Sequence, residues 1–486
     1  MKNKLYTVLV FLFSFQFIIA QEIKEESNTT YKKRVLENVE LDFMSSFYKQ
    51  SGNNAAVTGG IGTEELTDVT PTITLSIPLN DDDVLVIDAG ISAYSSASSS
   101  NLDPFDNSGA SRGGDDDDDD DHGGAAATGG SPWVASSGES KQDVWGTFSG
   151  SYSHSSNDRN KVWSANVSFA AEYDYISFGF GGGFTQLFNE KNTEIGIKGS
   201  VFLDNWNPVY PTEIDSYIEF LNGESDFFSN VEILNRSGAK TNINGGAGDW
   251  SPVSTVLVES SNRNSYSFSL SFSQILSSRA QISIFADAVS QQGWLSNPMQ
   301  RVYFSDRPNY YIGDAASIPN YTSKTNRGVF HLADDIERLP NSRLKLPIGA
   351  RLNYYVNEYV VLRTYYRYYS DDWGVKSQTM EIEIPVKIKE NWTVMPSYRY
   401  YDQTAADYFA PYNKHLSTSK FYTSDYDLSE FNSKQMGLMI RYTDIFTQIR
   451  VWEFGLKKAE LKYSNYERNS GFRSGIISLG VKFVMD

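Results

Sequence analysis

Residues 263–275 read Arg-Asn-Ser-Tyr-Ser-Phe-Ser-Leu-Ser-Phe-Ser-Gln-Ile. Tyr266, Phe268, Leu270 and Phe272 alternate with Ser265, Ser267, Ser269, Ser271 and Ser273. Successive side chains of a strand point to opposite faces, so this segment has one apolar face and one hydroxyl face. The pattern recurs along the chain. Trp163, Ala165, Val167 and Phe169 oppose Ser164, Asn166 and Ser168, and Ile176, Phe178, Phe180 and Phe184 oppose Ser177, Gly179, Gly181 and Gly183. Met380, Ile382, Ile384 and Val386 oppose Thr379, Glu381, Glu383 and Lys387. Met436, Leu438 and Ile440 oppose Gln435, Gly437 and Arg441, and Ile477, Leu479, Val481 and Phe483 oppose Ser478, Gly480 and Lys482. A soluble propeller or sandwich would use shorter strands and put Lys and Glu on the wet face. Ser and Gly opposite long apolar side chains fit an all-β fold of another kind, a transmembrane antiparallel β-barrel with lipid outside and a polar lumen.

Sixteen strands are expected, near 39–48, 69–79, 84–96, 143–155, 160–173, 174–188, 192–205, 263–275, 279–291, 344–355, 358–370, 375–388, 391–403, 434–443, 452–465 and 473–485. The first and the fifteenth carry the weakest alternation. Pro396 falls inside a strand, where it cannot donate to the ladder, and predicts a bulge or a slip of register. The connections alternate in length. All five long ones (49–68, 97–142, 206–262, 292–343 and 404–433) belong to one set, and every connection of the other set is short. Short periplasmic turns and long extracellular loops predict this parity when both termini lie in the periplasm. Phe483, three residues from the end, resembles a terminal barrel-strand signal, although the chain ends Val-Met-Asp.

The rest of the chain frames that reading. Residues 1–20 have Lys2 and Lys4, an apolar run from Val8 to Ile19, and Ala20, the layout of a signal peptide cleaved before Gln21. Residues 21–38 are then a periplasmic N-terminal tail and 39–486 the barrel. So short a tail leaves no room for a soluble plug domain of the energised-uptake type. The 486-residue chain has no cysteine, hence no disulfide or thiolate metal site. Its mean hydropathy of −0.41 suits apolar residues diluted by alternation. Aromatic residues make up 14%, with 31 Tyr, as expected of interfacial girdles. The formal charge of −18 becomes −20 once Lys2 and Lys4 leave with the signal, which argues against a nucleic-acid partner. The surroundings expected of such a barrel are outer-membrane lipid and lipopolysaccharide, with the barrel-assembly machinery during biogenesis and a periplasmic or surface partner of unknown identity.

Segment 106–140 holds the run Asp115, Asp116, Asp117, Asp118, Asp119, Asp120 and Asp121 between Gly- and Ala-rich flanks. It is too polar to fold alone. Its carboxylates suit a hard cation such as calcium, but calcium loops interleave Asp with Gly or Asn, so a solvated disordered loop is the plainer expectation. Loops 206–262 and 292–343 are rich in aromatics, among them Trp206, Tyr210, Tyr217, Trp250, Trp294, Tyr303, Tyr310 and Phe330. Packing into a cap or an inward plug is the commoner use of such residues, and stacking on a sugar the alternative.

If the apolar set faces lipid, Arg351, Arg363, Arg367, Arg399 and Arg441 face the lumen on strands ten, eleven, thirteen and fourteen. Asp88, Glu172, Glu194 and Asp287 do so on strands three, five, seven and nine. Opposed walls of this kind would set up a transverse field. Glu381 and Glu383, inward among the arginines, offer the alternative of local pairs that stiffen the wall. The four histidines, His122, His154, His331 and His415, show no metal-ligand spacing, and no cofactor is expected. His154-Ser155-Ser156 with Asn166 on the next strand is reminiscent of outer-membrane phospholipases, but the strand order puts Ser156 at a periplasmic turn, the wrong leaflet for that chemistry. No enzyme activity is expected.

Several segments stand out: Ser95-Ser-Ala-Ser-Ser-Ser-Asn-Leu-Asp-Pro-Phe105, Ser151-Tyr-Ser-His-Ser-Ser-Asn-Asp-Arg159, Trp163-Ser-Ala-Asn166, Glu172-Tyr-Asp-Tyr175, Phe178-Gly-Phe-Gly-Gly-Gly183, Leu187-Phe-Asn-Glu-Lys191, Tyr369-Ser-Asp-Asp-Trp-Gly374 and Gln403-Thr-Ala-Ala-Asp-Tyr-Phe409. In these the chain resembles a Bacteroidetes family known as domain of unknown function 3570. The Asp run reads as an insertion in a variable loop. The resemblance implies an outer-membrane β-barrel and brings no catalytic residues. Two functions are then expected to compete. One is a channel for small polar solutes or ions, since sixteen strands enclose an aqueous lumen. The other is a barrel plugged by its loops that serves as a surface-binding or assembly scaffold.

Overall fold

Alternation places the backbone polar groups in ladders and the apolar side chains on one face, so the structure turns on how the ladder ends. The computed structural model describes residues 34–96, 132, 143–223, 228, 231–241, 249–258, 260–326 and 328–485. The expected signal segment, most of the expected N-terminal tail and the Asp run lie outside the described residues. The fold below concerns the unit Val35–Asp486.

The strands are β1 (Val39–Ser51), β2 (Leu66–Pro78), β3 (Asp83–Ser96), β4 (Asp143–Ser155), β5 (Lys161–Ala171), β6 (Tyr175–Phe188), β7 (Thr193–Trp206) and β8 (Ser261–Ser277). They continue as β9 (Ala280–Gly293), β10 (Ser342–Tyr355), β11 (Val361–Asp371), β12 (Lys376–Glu383 and Val386–Lys389), β13 (Trp392–Gln403), β14 (Phe431–Thr443), β15 (Phe454–Arg468) and β16 (Arg473–Met485). Each pairs antiparallel with the next. β1 then pairs antiparallel with β16, from Val39 opposite Met485 to Ser51 opposite Arg473. The sheet has eighteen segments, but two belong to β12 and one is the two-residue bridge Arg450–Val451, which leaves a closed barrel of sixteen strands. Closure leaves no free edge.

The outer face is apolar. Phe268 is 50% exposed and Leu270 46%, with Phe178 and Phe180 on β6 and Ile477 and Leu479 on β16 equally bare. An exposed apolar surface of this extent would aggregate in water and is stable against hydrocarbon. Among the described residues no helix is long and apolar enough to cross a membrane. The long connections 52–65, 97–142, 207–260, 294–341 and 404–430 all leave from one end of the barrel, and the other end carries the short turns.

Pro396 corrects an expectation. The register through it is unbroken, with Met395 opposite Met439, Pro396 opposite Leu438 and Ser397 opposite Gly437. There is no bulge there. The interruption lies in the partner β12, between Glu383 opposite Ser397 and Val386 opposite Val394. These two pairs share one register, so Pro385 and Pro396 simply withhold adjacent ladder donors. The Ile384 N–H still reaches the Pro396 carbonyl at 3.0 Å.

The described parts of connections 52–65, 207–260, 294–341 and 404–430 fold into a body of their own at the loop end. Helix α1 (Thr212–Asn222) has Glu213 and Asp215 in its first turn, where the helix dipole favours acids, and ends at Gly223 with φ +76°. A four-stranded antiparallel sheet runs in the order Val329–His331, Tyr310–Gly313, Ile233–Asn235, Lys240–Thr241. Tyr217, Phe228, Ile233, Trp250, Ile312 and Phe330 form one buried cluster. The aromatics of loops 206–262 and 292–343 thus pack against one another, with a helix the loop reading did not anticipate. Buried at its centre, Arg301 donates from Nε to Glu213 Oε1 at 2.7 Å and from Nη2 to Oε2 at 2.9 Å, both side chains wholly inaccessible.

Candidate functional site

The inner face is where charge can sit without meeting lipid. The turn-end half of β10 and β11 and the middle of β12 and β13 concentrate it. Arg363 pairs with Glu383 at 2.8 Å, with the Arg side chain still 47% exposed. Arg351 lies over the rings of Phe285, at 5.7 Å, and Tyr365, at 5.3 Å, which are stacked 5.8 Å apart. Gly349 lets that arrangement form, because a Cβ there would collide with the Phe285 ring. Glu381 stands opposite both Tyr365 and Arg399 in register. Arg351, Arg363, Glu381, Glu383 and Arg399 together line a cavity of about 500 Å³.

The other expected lumen residues are spread more widely. Arg441 bonds to Glu460 on β15, and Arg367 lies 5.8 Å from the Tyr369 ring. Asp88 accepts from the Thr74 hydroxyl at 2.8 Å. Glu194 and Asp287 stand in register with Ser273 and Ser269. Glu172 falls just beyond β5, in a loop-end turn, where it accepts from Tyr94. Two of the arginines are thus neutralised by neighbours on adjacent strands, which is the wall-stiffening arrangement.

The loop body is tied to the inner wall at the other end. Arg468 donates to Asp427 at 2.6 Å, and Gln403 Nε2 donates to the carbonyls of Asp427 and Ser429 at 2.9 and 2.6 Å. Two further cavities lie along these ties. One, of about 290 Å³, is lined by Arg399, Gln435, Tyr466, Arg468 and Asp427 among others. The other, of about 340 Å³, is lined by Gln50, Glu64, Asp425, Asp427, Tyr466 and Arg468 among others. Sequence reasoning missed Glu460, Arg468 and Asp427. Arg468 lay beyond the expected end of its strand at 465, although its alternation with Tyr466 and Ser464 would have placed it inward. Asp427, on a loop, carried no such signal.

The loop body holds several ionisable groups away from water. Burial pushes the Glu337 carboxyl up to about 8 and Asp334 up to about 7. Glu337 accepts from the Asn297 N–H at 2.6 Å, and Asp334 from the Phe304 N–H at 2.9 Å. His331, pushed down to about 3 by burial, is stacked between Tyr303 at 4.2 Å and Tyr311 at 4.7 Å. No group of three metal-ligating side chains occurs among the described residues. The Asp115–Asp121 run lies outside them.

The phospholipase-like residues do not assemble. His154 Nδ1 is 2.6 Å from Asp83, and its ring sits by Trp163 on the outer face. Asn166 points inward over Gly181, and the Ser156 hydroxyl bonds to Asp158 at 2.5 Å.

No curated protein matches the sequence. Among solved structures, the chain is similar to a bacterial polysaccharide outer-membrane secretin, at 9% identity and a TM-score of 0.40, covering 92% of this chain and 99% of that one. It is similar to a BenF-like porin from Pseudomonas fluorescens, at 8% identity and a TM-score of 0.38, covering 92% and 98%. It is also similar to a ferric enterobactin receptor from Pseudomonas aeruginosa, at 10% identity and a TM-score of 0.38, covering 90% and 54%. Over residues 10–470 the sequence matches the family described as protein of unknown function DUF3570, and the chain belongs to that family.

Proposed function

We propose that the protein is an outer-membrane channel for small polar solutes, with its loop body standing in the extracellular mouth. The observation that carries this reading is the charged inner wall of β10 to β13. Arg363 is half exposed on the side of the sheet that cannot meet lipid, and it borders a cavity of about 500 Å³. Such side chains need water, and water in the lumen is the medium of transport. In this reading the short turns face the periplasm, the outer belt meets lipid and lipopolysaccharide, and the chain has no enzymatic role.

The second reading is a non-conducting barrel that uses its loops as a binding or assembly scaffold. It draws support from the buried Arg301–Glu213 pair and the packed core around it, which make the loop body a folded object rather than a mobile lid. Liposome swelling separates the two. Vesicles holding the refolded protein should swell in isotonic solutions of small polar solutes and stay inert in solutions of large oligosaccharides. Absence of swelling with correctly folded barrel would select the scaffold.

A further inference from the structure

One row of directly paired residues crosses the inner wall from the turn end to the loop end. Arg351 stands opposite Tyr365, Tyr365 opposite Glu381, and Glu381 opposite Arg399. The row continues from Arg399 to Gln435, to Tyr466, to Ser474 and to Gln50. A row perpendicular to tilted strands climbs as it goes round a barrel. It therefore starts near the short turns, on β10 and β11, and finishes beside loop 52–65.

The three cavities lie along this row and share their linings. Arg399 borders both the first and the second. Asp427, Tyr466 and Arg468 border both the second and the third. At the second junction the Arg468 guanidinium sits 4.4 Å from the Phe431 ring and 4.5 Å from the Phe472 ring, and it is held by Asp427 at 2.6 Å. The fixed charges change sign repeatedly along the way, from Arg351 and Arg363 to Glu381 and Glu383, then Arg399, then the Arg468–Asp427 pair, then Glu64 and Asp425.

We propose that solute crosses along this wall rather than down the barrel axis, that the Arg468–Asp427 pair is the latch of the passage, and that its cargo is small zwitterionic solutes of amino-acid size. The proposal rests on the channel reading above. Alternating signs give both ends of a zwitterion a partner at each stage and give a simple anion or cation a repulsive neighbour at every other one. The smallest cavity, about 290 Å³, is at the low end for small-molecule sites and suits a compact cargo.

The chain has no native cysteine, so single cysteines can be placed without background. In liposome swelling, Gln435→Cys labelled with a cationic methanethiosulfonate reagent should lose at least fivefold in rate. Ser149→Cys, inward on the opposite wall, should be unaffected by the same label. Paired Arg468→Gln and Asp427→Asn should raise the rate severalfold, and unmodified protein should pass glycine faster than glycolate. Block at Ser149→Cys with none at Gln435→Cys would overturn the wall passage and leave the channel reading intact. Equal passage of glycine and glycolate would overturn the cargo. No swelling by the unmodified protein would overturn the channel reading and this one with it. Migration before and after boiling checks folding of each variant, and Ser474→Cys on the same row replaces Gln435→Cys if that variant fails to fold.

Discussion

The barrel wall and the loop body use the same aromatic and aliphatic residues in opposite ways. On the wall, Phe268 and Leu270 are about half exposed and the backbone is saturated by neighbouring strands. In the loop body, Trp250, Phe304 and Val329 are wholly buried, and acids and a histidine are buried with them. The wall is stable because hydrocarbon surrounds it. The loop body is stable because it makes its own apolar interior in water. The molecule therefore has two kinds of stability, and they should respond to different perturbations.

The largest separation should come from Glu213→Ala. It removes the carboxylate that neutralises the buried Arg301 charge, a loss of about 3–5 kcal/mol. Limited proteolysis should then cut within 294–341, while the unboiled protein keeps its fast gel migration. Loss of both together would show that the loop body holds the barrel shut. The converse change is Phe268→Arg, mid-strand on the outer face. It should cost about 2–4 kcal/mol of unfolding free energy in a bilayer and leave loop proteolysis unchanged. A neutral effect would mean that this face does not meet lipid.

A subtler contrast is in pH. Glu337 and Asp334 have carboxyls raised to about 8 and about 7 in the folded body, well above their unfolded values near 4. Their stabilising contribution is fully present in acid and is lost as pH rises through those values. His331 works in the other sense, losing stability as pH falls below about 6.5, so the window is best set between pH 9 and 7, where it is neutral in both states. Moving from pH 9 to 7 should stabilise the body by about 2 kcal/mol. Amide exchange corrected for its intrinsic pH dependence should slow roughly twentyfold in 294–341 and not in β6 or β8. The smallest effect belongs to Arg363→Gln. Its half-exposed pair with Glu383 is worth less than about 1 kcal/mol, so stability should hold while reversal potentials shift toward cations. Unchanged selectivity would remove this pair from the conducting path.

The wall was legible in the sequence because alternation is a local signal with a period of two, and every expected strand has its counterpart. The connection parity put the five long connections at one end of the barrel before any contact was known. Pro396, read as a bulge or a slip of register, is neither, and the interruption lies on the partner strand at Pro385. The inward direction of Arg351, Arg363, Arg399 and Arg441 followed from the same alternation. What they touch did not, since Arg441 finds Glu460 and Arg351 finds the Phe285 ring only through strand register. The loop body was illegible for a different reason. Arg301 and Glu213 are far apart in the chain and have no repeating pattern to join them, and α1 is a single short helix inside a long connection. The passage combines both. Its row is written in alternation and register, but its latch, Asp427, comes from a loop.

The most direct measurement is single-channel conductance of the refolded protein in a planar bilayer at symmetric salt. Small, discrete and reproducible steps, as expected of a lumen narrowed by a loop body, would support the channel. A correctly folded barrel that stays silent would contradict it and leave the loop body as the working surface of the molecule.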